Sequence, residues 1–206
     1  MLKELSIVIG TNSKAGRIFE ELFPDIYNIK YKKPSDFIKH CWNKYEEYPD
    51  KNNNLNGIMF EYILASLCIR EGLLPLYMSA KVAFVPNVIY DLMFYSKERG
   101  PICLSAKTSL RERYKQADLE SIALKYVHRK ALSYLITLNA KEAKSVKSKI
   151  KSGDVIGLDD VIVATDEEFN VLINNLKKLG FEEPPTVKVI ESNQIITIEK
   201  VSKFKA

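Results

Sequence analysis

The stretch VPNVIYDLMFYSKERGPICLSAKTSLRERYKQADLE, from Val85 to Glu120, decides the fold. Two apolar, β-rich runs, Asn87 to Tyr95 and Ile102 to Lys107, flank the polar SKERG at 96–100, and this predicts two antiparallel strands joined by a tight turn. Arg111 to Tyr126 then places Leu119, Ile122, Ala123 and Tyr126 on one face at helical spacing, which predicts an amphipathic helix. Upstream, Ile58, Phe60, Ile63, Leu64, Leu67 and Cys68 predict a strongly buried helix from Gly57 to a Gly72 cap. A strand follows within Leu74 to Val85, beginning after Pro75 because proline cannot donate to a sheet ladder. Downstream, the pattern predicts a strand at Ala131 to Leu138, a lysine-rich helix at Ala140 to Lys151, a strand at Val155 to Ala164 and a helix at Asp166 to Leu179. Asp166 and Glu167 suit the positive end of that last helix. The order from Gly57 is α-β-β-β-α-β, followed by α-β-α. A hairpin feeding a helical crossover gives an α/β fold, a mixed β-sheet flanked by helices on both faces.

The ends of the chain are less regular. Leu5 to Ile9 predicts a short strand and Lys14 to Phe23 a helix, whereas the aromatic and lysine-rich residues 26–50 yield no assignment. KNNNLNG at 51–57 is loop by composition. Beyond Pro184-Pro185, the runs Thr186 to Ile190 and Gln194 to Val201 predict a terminal hairpin. The chain therefore divides into an N-terminal segment, 1–56, a core, 57–183, and a C-terminal β-hairpin, 184–206, of the same domain. There is no internal repeat.

At 206 residues and 23.6 kDa the chain has the size of one domain. With 46% hydrophobic and 28% charged residues it is neither disordered nor fibrous. Cys41, Cys68 and Cys103 have no regular spacing, and the last two sit in apolar runs, so buried thiols of a reducing compartment are expected. Met1 to Gly10 does not read as a secretory leader and no stretch is long and apolar enough to span a membrane. The expected location is the cytoplasm.

The net charge of +5 is unevenly spread. Residues 1–96 carry 11 basic and 11 acidic side chains, 97–151 carry 14 and 5, and 152–206 carry 6 and 10. A middle third at +9 suits a polyphosphate partner, with the acidic terminal third expected to face away.

Asp91 stands in an apolar run, where a carboxylate is costly unless paired or bound to a cation. Lys107 closes the next apolar strand. The two lie at nearly equal distances from the turn at Ser96 to Gly100, so their side chains are expected on one side of the sheet. A buried acid facing a buried lysine is either a structural ion pair or a metal and phosphate site. A third group favours the second reading: Arg113, Gln116 and Glu120 share one stripe of the following helix, from which Glu120 projects towards the same sheet ends.

Asp91, then Ser105-Ala106-Lys107, then Glu120 resemble the PD-(D/E)xK nuclease superfamily, in the type II restriction endonuclease variant with a migrated glutamate. In that variant ExK becomes SxK and the lost carboxylate comes from the next helix. The string SAKTSLRERYKQADLE as a whole is similar to those enzymes, and the likeness spans about residues 57–140. It departs from the pattern at Tyr90, which stands where the family often has proline. The resemblance implies a restriction-endonuclease-like core and Mg²⁺-dependent hydrolysis of DNA, with Mn²⁺ able to substitute. Asp91, Glu120 and the Ala106 carbonyl would hold the metal. Lys107 would orient the hydrolytic water, and Glu61, on the preceding helix among non-polar neighbours, would be a further acid. Ser105, Thr108, Ser109, Arg111, Arg113, Lys115 and Gln116 would meet the DNA, and residues 1–56 would supply a DNA contact or dimerisation arm. Cleavage of double-stranded DNA at a short palindrome, 5′-phosphate products, a homodimer, a partner methyltransferase and a prokaryotic cytoplasm complete the expectation.

Two other readings stay open from the residues: a repair or junction-processing nuclease of the same fold, and a non-catalytic DNA-binding module in which Asp91 and Lys107 are a structural pair. Weaker signals point elsewhere. Pro24-Asp25 and Pro49-Asp50 read as turns, GTNSKAGR at 10–17 lacks the ending of a phosphate loop, His40, Cys41 and His128 have no partners at zinc spacing, and Asp159-Asp160 open a strand.

Overall fold

The computed structural model describes residues 4–8, 13–185 and 190–204. Its centre is helix α3, Asn53–Arg70, which buries residues on every side, among them Met59, Phe60, Ile63, Leu64, Leu67 and Cys68. A helix apolar all round belongs inside a core and not on its surface. It begins one turn before the expected Gly57 because the Asn52 side chain accepts from the Leu55 N–H at 2.9 Å, capping the free end.

Strands β1 (Leu76–Val82), β2 (Tyr90–Ser96) and β3 (Gly100–Lys107) follow as an antiparallel meander, with Met93 opposite Cys103 and Leu92 opposite Leu104. Gly100 turns the chain into β3 at φ +75°, a conformation glycine adopts without cost. Helix α4 (Arg113–Val127) crosses over to β4 (Leu132–Thr137), which lies parallel to β3. Helix α5 (Ala140–Ser152) leads to β5 (Asp160–Val163), parallel to β4, and helix α6 (Glu167–Lys177) returns to the α3 side. The α-β-β-β-α-β order expected from the sequence is present, in a mixed sheet of order β5-β4-β3-β2-β1 with helices on both faces.

Alternate strand residues divide the core into two layers. Leu92, Phe94, Ile102, Leu104 and Ile136 pack against α3 and the helices around it, whereas Met93, Cys103, Leu135 and Val161 face the α4 and α5 side. All three cysteines are free and buried.

Four sequence expectations are corrected. Leu5, Ile7 and Val8 are buried, yet they form a turn and bend instead of a strand, and the rest of that run lies outside the described residues. The unassigned aromatic stretch holds one α-helix, which packs with α1 (Lys14–Leu22): α2, Pro34–Glu46, buries Phe37, Ile38, Cys41 and Tyr45 against the main core. These four fall at helical spacing, with Lys39, His40 and Lys44 exposed on the outer face. The C-terminal runs do not form a hairpin. Ile190–Glu191 (β6) and Gln194–Ile196 (β7) both pair antiparallel with β1, in a single continuous register broken at Ser192 and Asn193, and make one interrupted edge strand. Residues 186–189 are outside the described set, and Ile198–Ser202 is a helix, α7, where a strand was expected.

The fourth correction concerns α4. Half of the predicted apolar face is turned outward, Leu119 at 66% and Tyr126 at 84% exposure, and Ile122 and Ala123 are half-buried, while Tyr114, Ala117, Asp118, Ser121 and Leu124 are buried. The buried polar groups are each satisfied. The Asp118 carboxylate accepts from the Gly157 and Leu158 N–H groups at 2.6 and 3.2 Å, and the Ser121 hydroxyl meets that of Ser133 at 2.5 Å. Residues 153–159 are therefore a loop seated on α4, and the strand expected from Val155 shrinks to Asp160–Val163.

Candidate active site

Because β2 starts, and β3, β4 and β5 end, on the same side of the sheet, Asp91, Lys107, Thr137 and Val163 share one edge. Asp91 is the second residue of β2 and Lys107 the last of β3, beyond the final paired residues Leu92 and Leu104. Here the strands splay and their side chains turn to each other. Lys107 Nζ lies 2.6 Å from Asp91 Oδ2, which also accepts from the Ala106 N–H at 2.8 Å and the Ser105 hydroxyl at 3.2 Å. Three donors fix one carboxylate oxygen, and Oδ1 keeps no hydrogen-bond partner among the described residues. An extended residue turns its N–H and C=O the same way, so the Ala106 carbonyl faces the Asp91 side.

Glu120 reaches this edge from α4. Its carboxylate accepts from Gln116 Nε2 at 2.8 Å, and its main-chain carbonyl accepts from the Tyr90 hydroxyl at 3.0 Å, which ties α4 to the residue before Asp91. Burial raises the Glu120 carboxyl above the usual range, the Gln116 hydrogen bond and Lys107 oppose this, and Asp91 adds to it. Glu61 comes from α3. Burial foremost, then the Asp91 charge, pushes its carboxyl up to about 8, with Lys107 pulling it down. Burial works against the Lys107 ammonium, but Asp91, Glu61 and Glu120 outweigh it and raise its pKa, so Lys107 is a cation at neutral pH. Asp91, Lys107, Glu120 and Glu61 thus share one electrostatic site, three acids around one base.

Burial foremost raises the Glu61 and Glu120 carboxyls, with the Asp91 charge adding to it, and a divalent cation at this edge would favour their ionised forms. The donors fit a hard cation: two carboxylates and a backbone carbonyl, all oxygen. Among the described residues no three His, Cys, Asp or Glu side chains converge into a cage of their own. Solvent or a phosphate would therefore have to complete the coordination, as is usual for Mg²⁺.

The other predicted contacts separate. Thr108, Ser109, Arg111 and Arg113 line a groove with Asn53, next to Lys107. Arg111 and Arg113 are exposed and make no ion pair among the described residues. Lys115 is exposed and paired with Glu112, Gln116 is engaged with Glu120, and Ser105 is buried with its hydroxyl on Asp91, which makes it a support for the carboxylate and not a surface contact. The acidic terminal third does not simply face away, since Asp159 pairs with Lys125 and Glu168 with Lys147 of the basic third. Of the weak signals, Asp25 caps a 3-10 turn at Ile26–Asn28 and Ser13 caps α1. Tyr90 was missed by the sequence reading, because a tyrosine in a strand gives no sign that its hydroxyl will brace a helix thirty residues away.

No family model and no curated protein matches the chain. A solved structure, the restriction endonuclease PspGI in complex with substrate DNA, is similar at a TM-score of 0.55 and 16% identity, over 95% of this chain and 92% of that one. The fold is restriction-endonuclease-like. In this restriction-endonuclease-like fold the four candidate residues lie at the edge where the central antiparallel strands part, beside the groove at Thr108 to Arg113. Among the described residues no helix is long and apolar enough to cross a membrane.

The protonation of Glu61 gives a test that needs no substrate. Its folded pKa, about 8, lies above the ordinary value of 4.5, so the native state holds the proton more tightly than the unfolded chain. This contribution to stability is complete below the unfolded pKa and is lost as pH rises through the folded one. Glu61→Gln removes the titration, and the melting temperature of the variant should gain on that of the wild type between pH 5 and pH 9. A difference that is constant across this range would show that Glu61 is not held protonated.

Proposed function

We propose that the protein is a Mg²⁺-dependent endodeoxyribonuclease of type II restriction character, cutting duplex DNA at a short specific sequence to leave 5′-phosphate ends. The observation that carries this reading is the Asp91 and Lys107 pair at the splayed strand ends, flanked by Glu120 and Glu61, in a fold shared with a restriction endonuclease. Asp91, Glu120 and the Ala106 carbonyl would hold the metal, with Mn²⁺ as a substitute. When bound, the cation supplies Lewis-acid stabilisation of charge on the scissile phosphate and a water of lowered pKa.

The chain's own groups do the rest. Lys107, kept cationic by three acids, orients the attacking water by donating to it and neutralises charge that grows on the phosphoryl oxygens. It does not serve as the base, because its proton is held. Ser105 and the Ala106 N–H fix the Asp91 carboxylate so that its position costs nothing at the moment of reaction. Gln116 orients Glu120, and Arg111 and Arg113 offer exposed cations for backbone phosphates. A homodimer reading two half-sites and a methyltransferase that protects host DNA, both in a prokaryotic cytoplasm, belong to this reading.

Long DNA of known sequence incubated with the protein and Mg²⁺ should give discrete fragments whose sequenced ends share one motif and carry 5′-phosphates. A smear, or cutting confined to branched or damaged DNA, would replace this reading by a repair nuclease. Salt-sensitive binding with no nicking in Mg²⁺ or Mn²⁺ would leave a binding module.

A further inference from the structure

The loop between β1 and β2, residues 83–89, leaves the sheet at the edge that carries Asp91 and Lys107, and Ile89 is two residues before Asp91. The loop contains no charged side chain. Its inner side is anchored: Val85 is buried, as are Val82 and Tyr90 of the strands that flank the loop. Its outer residues are not covered by any of the described residues. Phe84 is 81% exposed and Ile89 57%. Phe84 occupies a turn closed by the Val85 N–H to the Val82 carbonyl at 3.1 Å, with φ +64°. Such positions ordinarily take glycine or asparagine, as Asn87 does at φ +63° in the same loop. A phenylalanine here is unfavourable twice, in its backbone and in its exposed ring, and the contacts of the described residues do not explain it.

We infer that Phe84, supported by Ile89, is an apolar wedge that packs on a nucleobase of the DNA beside the scissile phosphate. The inference rests on the nuclease reading of the Asp91 site. A duplex whose phosphate sits at Asp91 and Lys107 lies against this loop, and the apolar surface that such a ligand offers is the faces of its bases. An uncharged loop makes no use of the phosphates. The buried Val82 and Val85 and the turn closed between them hold the ring outward before DNA arrives, which lowers the entropy lost on contact.

The test is a titration of a short fluorescent mixed-sequence duplex, with divalent ions chelated, at several salt concentrations. It compares wild type, Phe84→Ala, Phe84→Gly and Phe84→Trp, each with its melting temperature and sedimentation. Expected are binding by the wild type, a loss of about tenfold in affinity for the Ala and Gly variants, since base stacking on an aromatic ring is worth that order, and retention in Phe84→Trp. The slope of affinity against salt should not change, because no phosphate contact is removed. Phe84→Gly should melt no lower than wild type, which separates lost binding from lost folding. Wild-type binding with unchanged affinity in Phe84→Ala would overturn the wedge and leave the nuclease reading standing. A variant that stays bound to DNA but loses self-association would overturn it in favour of a second copy as the occupant. Absence of DNA binding by the wild type would overturn both readings.

Discussion

Asp91→Asn and Lys107→Met should each lower DNA cleavage by at least about a thousandfold, the scale on which removal of one preorganised charge-stabilising group acts. Asparagine preserves the shape of Asp91 and still accepts from the Ala106 N–H, yet it loses the charge that pairs with Lys107 at 2.6 Å and that would hold a cation. Methionine keeps the stem of Lys107 and removes its ammonium. Both substitutions leave the strand pairing of β2 and β3 intact, because the two residues lie just beyond the last paired positions, Leu92 and Leu104. The variants should therefore keep a cooperative melting transition and a wild-type circular dichroism spectrum. Only 15% and 18% of the two side chains are exposed, so removing one partner leaves a largely buried charge and should lower the melting temperature without abolishing the transition. Cleavage at wild-type rates by either variant would remove the site from consideration. Loss of cleavage together with loss of the folded state would instead support the structural-pair reading.

Gly157→Ala should lower stability by about 3 kcal/mol, or roughly 10 °C in Tm, a large overpacking effect for a chain of this size. A Cβ on Gly157 would stand 2.3 Å from the Asp118 carbonyl oxygen and 2.7 Å from the Ile122 nitrogen, both backbone atoms of a helix, which cannot swing aside as a side-chain tip does. The same contact brings the Gly157 and Leu158 N–H groups onto the Asp118 carboxylate. Forcing the loop away would leave that buried carboxylate without its donors, so the two costs add. Since α4 also carries Glu120, DNA cleavage should fall along with stability, and lowering the temperature should recover part of it. An unchanged melting temperature would show that loop 153–159 does not rest on α4 as described.

The order of elements from α3 to β4 was legible in the sequence because it rests on local pattern: apolar runs of strand length, a polar turn at 96–100 and a helical stripe. Asp91, Lys107 and Glu120 were legible for a related reason. Charged groups in apolar runs are costly, which marked Asp91 and Lys107, and their nearly equal distances from the turn set both on one side of the sheet, although the register that pairs Leu92 with Leu104 offsets them. Glu120 was marked by the helical stripe it shares with Arg113 and Gln116 and by the family resemblance. Glu61 was marked by its non-polar helical neighbours Gly57, Ile58, Leu64 and Ala65 together with the family resemblance.

What the sequence could not decide is where polar groups satisfy each other at long range. The α4 face was misjudged because the apolar moment of Leu119, Ile122 and Tyr126 outweighed a face containing Asp118 and Ser121. That face is buried only because amides thirty-nine residues further on and the Ser133 hydroxyl complete their hydrogen bonds. The C-terminal runs carry β-propensity but not their partner, and the open edge of β1, which takes both, exists only once the sheet has formed. By itself the sequence determined the succession of strands and helices from α3 to α6 and the three charged residues that had to be explained. The tertiary structure alone decided that Ser105 and the Ala106 N–H hold Asp91, that Tyr90 braces the helix of Glu120, and that Phe84 is left facing out beside them, since each depends on contacts between elements far apart in the chain.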